Sequence, residues 1–311
     1  MRHVLSLFGL TAEEIARVLE VSAKLKADLA IGKRESILEN NVVGLLFEKP
    51  SLRTRVSFET LTGHLGGNSL MLGADVGWGS REPLCDFMPI LTSYLDLLVI
   101  RAKSHALVQE SLQFAQCPVI NGLTDVSHPC QALADLLTVQ EIAGGLDGVS
   151  IAYIGDANNV TYSLAVICSR LGVPLNIGAP AGYQFESSFI EELNADAGKE
   201  LIRQTDDAKA AVENVSFVYT DVWTSMGQEA ESKQRLKDLA AYQVNEELMS
   251  VAAADAKFLH CLPARRGEEV TSGVIDSPAS AIIQQANNRL HAQKGLVVWL
   301  KNESESQGQS V

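Results

Sequence analysis

The chain has 311 residues, 46% of them apolar, which excludes a disordered protein and gives enough apolar surface for two domains. Its formal net charge of −13 at pH 7 excludes a general binder of nucleic acid or of anionic membrane, because such partners need a basic face that releases counterions. Any anionic ligand must therefore be met by a local cluster of arginines.

The apolar start Val4-Leu5-Ser6-Leu7-Phe8 is followed at once by Glu13 and Glu14, with no small-residue cleavage site, so no signal peptide is expected. No stretch approaches the ~20 apolar residues that span a bilayer. Short β-branched or aliphatic runs then alternate with longer helical patterns, the signature of βα units around a parallel sheet. Strands are expected at Val42 to Phe47, Ser69 to Leu72, Leu97 to Ile100 and Val119 to Asn121. A second series is expected at Val149 to Ile154, Leu175 to Ile177, Phe217 to Tyr219 and Lys257 to His260. A helix over Cys130 to Ile142 joins the two series and ends in Gly144-Gly145-Leu146-Asp147-Gly148, the glycines a helix C-cap and turn want. A final helix is expected over Ala279 to Leu300, with the polar segment from Asn302 to Val311 frayed.

The expected fold class is α/β: two doubly wound parallel-sheet domains joined by helices, residues 1–140 and 141–285, with residues 286–311 as a C-terminal helix and tail returning to the first. Cys85, Cys117, Cys130, Cys168 and Cys261 form no C-x-x-C pair, so neither a disulfide framework nor a zinc site is indicated, and a reducing cytoplasm fits.

The most informative stretch is Phe47-Glu48-Lys49-Pro50-Ser51-Leu52-Arg53-Thr54-Arg55, where an apolar strand ends and a helix begins with Ser51 as a natural N-cap. Free backbone N–H groups, the positive end of the helix dipole, two hydroxyls and a guanidinium make a cradle for a phosphate dianion. An ordinary capped helix with two solvated arginines would look the same in isolation. Position favours the cradle, since ligands of open α/β sheets sit beyond the carboxyl ends of the strands. Arg101 ends the strand Leu97 to Ile100 at the equivalent place. His128-Pro129-Cys130-Gln131 follows the strand around Ile120; alone its imidazole would be read as structural, but with Arg53 and Arg101 it becomes a donor to a carbonyl attached to the phosphate, helped by Gln131.

Ser-x-Arg-Thr-Arg followed by His-Pro-x-Gln resembles the carbamoyl phosphate site of the aspartate and ornithine carbamoyltransferases, and the likeness runs from the Leu5 to Lys26 opening to Asn288-Arg289-Leu290-His291. It implies that Ser51, Leu52 (through its main chain), Arg53, Thr54, Arg101, His128, Gln131 and Arg289 bind carbamoyl phosphate. Gly155-Asp156-Ala157-Asn158-Asn159 lies in a strand-to-helix turn, but lacks G-x-G-x-x-G and a closing acidic residue, so NAD is discounted. By the resemblance, the Asn pair nominates Asn159 for the acceptor amino acid. Thr220-Asp221-Val222-Trp223-Thr224-Ser225-Met226-Gly227-Gln228 is similar to the segment that marks the ornithine enzymes, with Asp221 for the α-ammonium and Ser225 and Met226 as further contacts.

His260-Cys261-Leu262-Pro263 admits a Cys-His dyad, but strand neighbours point to opposite faces, and a buried structural thiol is the plain alternative. The resemblance implies a third role: main-chain carbonyls of Cys261 and Leu262 accept from the carbamoyl NH₂, and the thiol lies by the acceptor's amino group. It further implies transfer to the δ-amine of L-ornithine without metal or organic cofactor, and a homotrimer with Asp75 to Glu82 reaching a neighbour. Leu52 and Trp78 also occur in relatives that use N-acylated ornithine, and Gly77 replaces a usual Gln or His. The Ser-Met-Gly segment favours free ornithine over N-acylated ornithine or putrescine. A catalytically silent binding relative is the rival from another class, disfavoured by the joint presence of Arg53, His128, Asp221 and Cys261.

Overall fold

The computed structural model of the chain describes residues 1–224 and 229–308, and it divides into two compact units: Met1–Leu137 with Asn288–Val311, and Thr138–Asn287. In the first unit, α1 (Ala12–Ala30) begins at a capping box in which Thr11 and Glu14 satisfy each other's backbone donors. It buries Ile15, Val18, Leu19, Ser22 and Leu25, the spacing of one helical face. There follow β1 (Val42–Phe47), α2 (Leu52–His64), β2 (Asn68–Leu72), α3 (Leu84–Ser93), β3 (Leu97–Arg101), α4 (His105–Leu112), β4 (Val119–Leu123) and the first turns of α5 (Pro129–Ala143), which from Thr138 on belongs to the second unit. All strand pairs are parallel, in the order β2-β1-β3-β4.

The second unit runs β5 (Ile151–Ile154), α6 (Asn159–Leu171), β6 (Leu175–Gly178), α7 (Ser187–Ala197), β7 (Ile202–Thr205), α8 (Ala208–Val212) and β8 (Phe217–Thr220). After it come α9 (Ser232–Asp238), α10 (Glu246–Met249), β9 (Lys257–His260), α11 (Ser272–Ile275) and the first turns of α12 (Ile282–Gly308). This sheet is also parallel, in the order β7-β6-β5-β8-β9.

Both cores have the same construction. Leu46, Leu98, Ile100 and Val119 from the first sheet pack with Met88 and Val108; Ile154, Val218 and Phe258 from the second pack with Val212, Leu248 and Val274. Each such burial removes a side chain worth about 1.5–3 kcal/mol from water. From Asn288 on, α12 belongs to the first unit. Gly295 lets it approach α1, since a Cβ there would lie 2.8 Å from the Val18 carbonyl oxygen.

The α/β class with two parallel sheets and a C-terminal helix on the first is as the sequence pattern predicts. Two elements differ. The strand β7 has no counterpart among the expected strands, and α12 continues to Gly308 where fraying was expected from Asn302. Among the described residues, no helix is long and apolar enough to cross a membrane.

Candidate active site

In each unit the chain reverses its direction of progress along the sheet, between β1 and β3 in the first and between β5 and β8 in the second. Such switch points leave a crevice at the carboxyl ends of the strands, because the connections on either side diverge. Register places Phe47 level with Arg101, and Ile154, Thr220 and His260 level with one another, so the residues that follow emerge side by side.

At the first switch point Ser51 occupies the N-cap position of α2, yet its hydroxyl makes no cap hydrogen bond; it lies 3.1 Å from Thr54 Oγ1. This corrects the expected capping role and leaves the first-turn N–H groups uncapped by that side chain. Thr54 is the focus of the cluster. Arg101 Nη1 donates to its Oγ1 at 3.2 Å and Arg289 Nη2 at 3.4 Å. Ser51 Oγ donates to the same oxygen, so donors from three side chains converge on Thr54 Oγ1. Arg289 Nη1 also donates to Gln131 Oε1 at 2.6 Å, while Gln131 Nε2 donates to Asp135 Oδ1 at 2.8 Å. Gln131 therefore holds a guanidinium in place. Leu52 heads α2 with its side chain 78% exposed, so only its main chain faces the cluster, and Arg55 pairs on the outer surface with Glu59 at 2.9 Å.

Electrostatics sharpen the picture. Burial, with Arg289 and Arg53 close by, pushes Arg101 down to about 10, still a cation at neutral pH. His128 is fully buried, and burial, followed by Arg289, Arg101 and Arg53, holds its imidazole well below the ordinary value of 6.5. It is neutral at pH 7, and a neutral imidazole carries one N–H donor. Three guanidiniums crowded on a neutral imidazole at an open helix mouth repel one another, and a dianion relieves that repulsion.

At the second switch point Gly155, at φ +132°, makes the turn out of β5 in a conformation open to glycine. Asn158 caps α6, its Oδ1 accepting from the Val160 and Thr161 N–H groups, and its Nδ2 donates to Asp221 Oδ2 at 3.2 Å. Cys261 Sγ donates to Asp221 Oδ1 at 2.9 Å. The Val222 N–H also donates to Oδ1 at 2.8 Å, so Asp221 keeps neutral donors on both oxygens and no cation among these contacts. Asn159 instead starts α6, with its carbonyl accepting from Ser163 Oγ, so the contact to Asp221 belongs to its neighbour. The N-cap preference of asparagine before a helix was the signal that would have singled out Asn158. Ser225 and Met226 lie outside the described residues.

The Cys-His dyad is absent. His260 Nδ1 accepts from the Leu262 N–H at 2.9 Å, which leaves Nε2 to donate to Glu269 Oε1 at 3.1 Å. Leu262 itself adopts a left-handed conformation, φ 59°. Asp221, His260 and Cys261 offer one ligand atom each within 4.8 Å of one another, but both ring nitrogens of His260 are engaged, so it has no lone pair for a metal in this state. In the segment expected to reach a neighbour, Trp78 is buried in its own unit and donates to Ser111 Oγ at 3.2 Å. Arg235, buried at 4% exposure between Asp156 and Trp223, carried no sequence signal, because it stands in the charged helix Ser-Lys-Gln-Arg-Leu-Lys-Asp.

Residues 2–141 match the carbamoyl-P binding domain of aspartate/ornithine carbamoyltransferases, and residues 147–300 match the Asp/Orn binding domain of the same family. The chain is 46% identical over 302 residues to an ornithine carbamoyltransferase of Anoxybacillus flavithermus, covering 96% of each chain. It is 44% identical over 299 residues to an anabolic ornithine carbamoyltransferase of Pyrococcus furiosus, covering 95% of each. Among solved structures it is similar to the ornithine carbamoyltransferase of Pyrococcus furiosus (TM-score 0.92, 43% identity, 96% of each chain). It also resembles the anabolic enzyme of Campylobacter jejuni (TM-score 0.91, 32% identity, 97% of this chain and 100% of that one).

Proposed function

The chain belongs to the aspartate/ornithine carbamoyltransferase family, and from that premise we propose that it transfers the carbamoyl group of carbamoyl phosphate to the δ-amine of L-ornithine, giving L-citrulline and phosphate. The observation that carries the reading is the crowding of Arg53, Arg101 and Arg289 around neutral His128 at the mouth of α2. The α2 N–H groups, Ser51, Thr54, Arg53 and Arg101 hold the phosphate, and Thr54, Arg101 and His128 direct hydrogen bonds at the carbonyl oxygen. The second unit binds the acceptor: Asp221 takes the α-ammonium, with Asn158 and Cys261 keeping its carboxylate in place. The nominated residues Asn159, Ser225 and Met226 belong to the same acceptor site.

The neutral δ-amine attacks the carbonyl carbon, the C–O π pair moves to oxygen, and collapse of the tetrahedral intermediate expels phosphate. The amine proton leaves with it. Holding both reactants in register is worth ~7–11 kcal/mol of barrier, and each oxyanion donor roughly 3 kcal/mol. Cys261 and Leu262 serve through main-chain carbonyls that accept from the carbamoyl NH₂.

The anabolic relatives support a place in arginine biosynthesis, and the five free thiols fit a reducing cytoplasm. A homotrimer is supported by the exposed Leu52, Val56, Leu70, Ile90 and Tyr94 of the first unit, on α2, β2 and α3. The test is phosphate release and formation of the matching ureido product with ornithine, N-acetylornithine, putrescine and aspartate offered in parallel. Ornithine is expected to react, since acetylation removes the charge Asp221 needs, putrescine lacks the α-carboxylate and aspartate the δ-amine. Turnover of another acceptor in preference, or none with any, overturns the reading.

A further inference from the structure

Arg235 lies on α9, 79 residues from Asp156 and 12 from Trp223, and its guanidinium reaches both: Nη2 donates to Asp156 Oδ2 and Nε to the Trp223 carbonyl oxygen. Its face lies over the Tyr183 ring, with Cζ 4.9 Å from the ring centroid. Asp156 passes the restraint on through its main chain, where its carbonyl oxygen accepts from the Asn158 N–H at 2.8 Å and from Thr161 Oγ1 at 3.0 Å. One planar group therefore fixes the turn after β5 through Asp156 and the turn after β8 through Trp223. Those two turns carry the two ends of the hydrogen bond from Asn158 to Asp221.

The pair is costly to keep unless its geometry is used. Burial pushes the Asp156 carboxyl up, and Arg235 is the largest influence opposing it. Removing Arg235 leaves the Asp156 carboxylate buried without its counter-charge, whereas removing Asp156 leaves Arg235 only the longer, exposed pairing with Glu231 at 3.8 Å. A guanidinium suits the task because its fork presents separate donors in fixed directions, whereas an ammonium is a point charge on a flexible stem. A second, longer contact between Thr224 Oγ1 and Ser232 Oγ, at 3.5 Å, joins the turn after β8 to α9.

We infer that Arg235 is a positioning residue for the amino-acid acceptor: without touching it, Arg235 sets the spacing of Asn158 and Asp221 that receives the α-amino group. The inference rests on the acceptor site proposed above. Because the turns after β5 and β8 are set before the acceptor arrives, loss of Arg235 weakens its binding and leaves the donor substrate alone.

The full-length Arg235→Gln, Arg235→Lys, Asp156→Asn and Asp221→Asn variants are compared by steady-state kinetics in both substrates. Binding of L-norvaline, which is ornithine without its δ-amine, is measured with carbamoyl phosphate present. Arg235→Gln is expected to raise KM for ornithine about tenfold or more and weaken norvaline in parallel, with KM for carbamoyl phosphate changed less than about twofold. Arg235→Lys should recover part of the loss. A fall confined to kcat or to the folded fraction, with ornithine KM and norvaline affinity unchanged, overturns the inference. If Arg235→Gln fails to fold, Arg235→Lys and Asp156→Asn decide by the same selective rise or its absence. Should Asp221→Asn also bind norvaline normally, the acceptor reading itself falls; should it alone lose norvaline, only the role of Arg235 does.

Discussion

Cys261 Sγ lies 2.9 Å from Asp221 Oδ1, a thiol donating to the carboxylate proposed to hold the acceptor. A hydrogen bond to a charged group is worth about 1.5–3 kcal/mol, so Cys261→Ala should weaken ornithine binding by roughly tenfold or more, and Cys261→Ser should recover much of it. The same thiol is half-buried, Cys85 is exposed, and the other three are buried. Burial pushes Cys117 up to about 12 and Cys130 up to about 11, which makes both poor nucleophiles. In a Cys85→Ser background, iodoacetamide should therefore inactivate through Cys261, and ornithine should slow the reaction. Peptide mapping that finds the label elsewhere in the inactivated protein would contradict this.

Arg101 spends stability on binding. Its neighbours by charge are Arg289 and Arg53, so in the unliganded protein it contributes repulsion as well as the 3.2 Å hydrogen bond to Thr54. Arg101→Met should lower the rate of citrulline formation by about 10² to 10³, the loss typical of one oxyanion donor. Its thermal midpoint without ligand should stay level or rise. A near-normal rate would remove Arg101 from the donor site.

The pH dependence follows from His128. Its folded value is depressed below the ordinary 6.5, first by burial and then by Arg289, Arg101 and Arg53. Below pH 6.5 the unfolded chain takes up a proton that the folded one refuses, so acidification favours unfolding; above 6.5 both states are neutral and the residue is silent. Thermal midpoints of the unliganded protein should therefore fall as pH drops from 6.5, and His128→Asn should show a shallower fall. His3, His64 and His105 are depressed too and act in the same direction, which is why the comparison is made between variant and parent. Parallel curves would show that His128 takes up its proton as readily in the folded protein as in the unfolded chain.

What the sequence reveals tracks how much burial a residue type advertises. The central strands are legible because both faces are covered, so Val42–Phe47 and Leu97–Arg101 read as apolar runs. β7 is an edge strand paired with β6 alone, and Ile-Arg-Gln-Thr buries only Ile202, leaving no run to detect. The end of α12 is held by polar contacts, Lys301 Nζ to Asn41 Oδ1 at 2.7 Å and Ser304 Oγ to Leu300 O at 2.9 Å, which hydrophobic periodicity does not record. At the site, hydroxyls, guanidiniums and the imidazole stood out because they follow strands. Arg235 did not, since its burial depends on partners at Asp156 and Trp223 that only the folded chain brings to it.

Assembly gives the last prediction. β2 is the edge of the first sheet, and its leading residues Asn68, Ser69 and Leu70 are exposed, Leu70 at 48%. On α3, Ile90 and Tyr94 just after it are exposed at 55% and 73%. An open strand edge and exposed large apolar side chains each promote association, which a protein avoids with charges or uses as an interface. No charged residue falls within β2 itself. The proposed homotrimer covers these exposed residues, so the parent should sediment at about three times 33.5 kDa. Leu70→Asp combined with Tyr94→Asp places carboxylates against the partner's apolar surface, where burial without a counter-charge costs several kcal/mol. The double variant should sediment as a folded monomer with activity sharply reduced if, as proposed, a neighbour's Asp75 to Glu82 segment completes each site of a homotrimer. A monomer of full activity would show that each chain works alone, and an unchanged trimer would place the interface elsewhere.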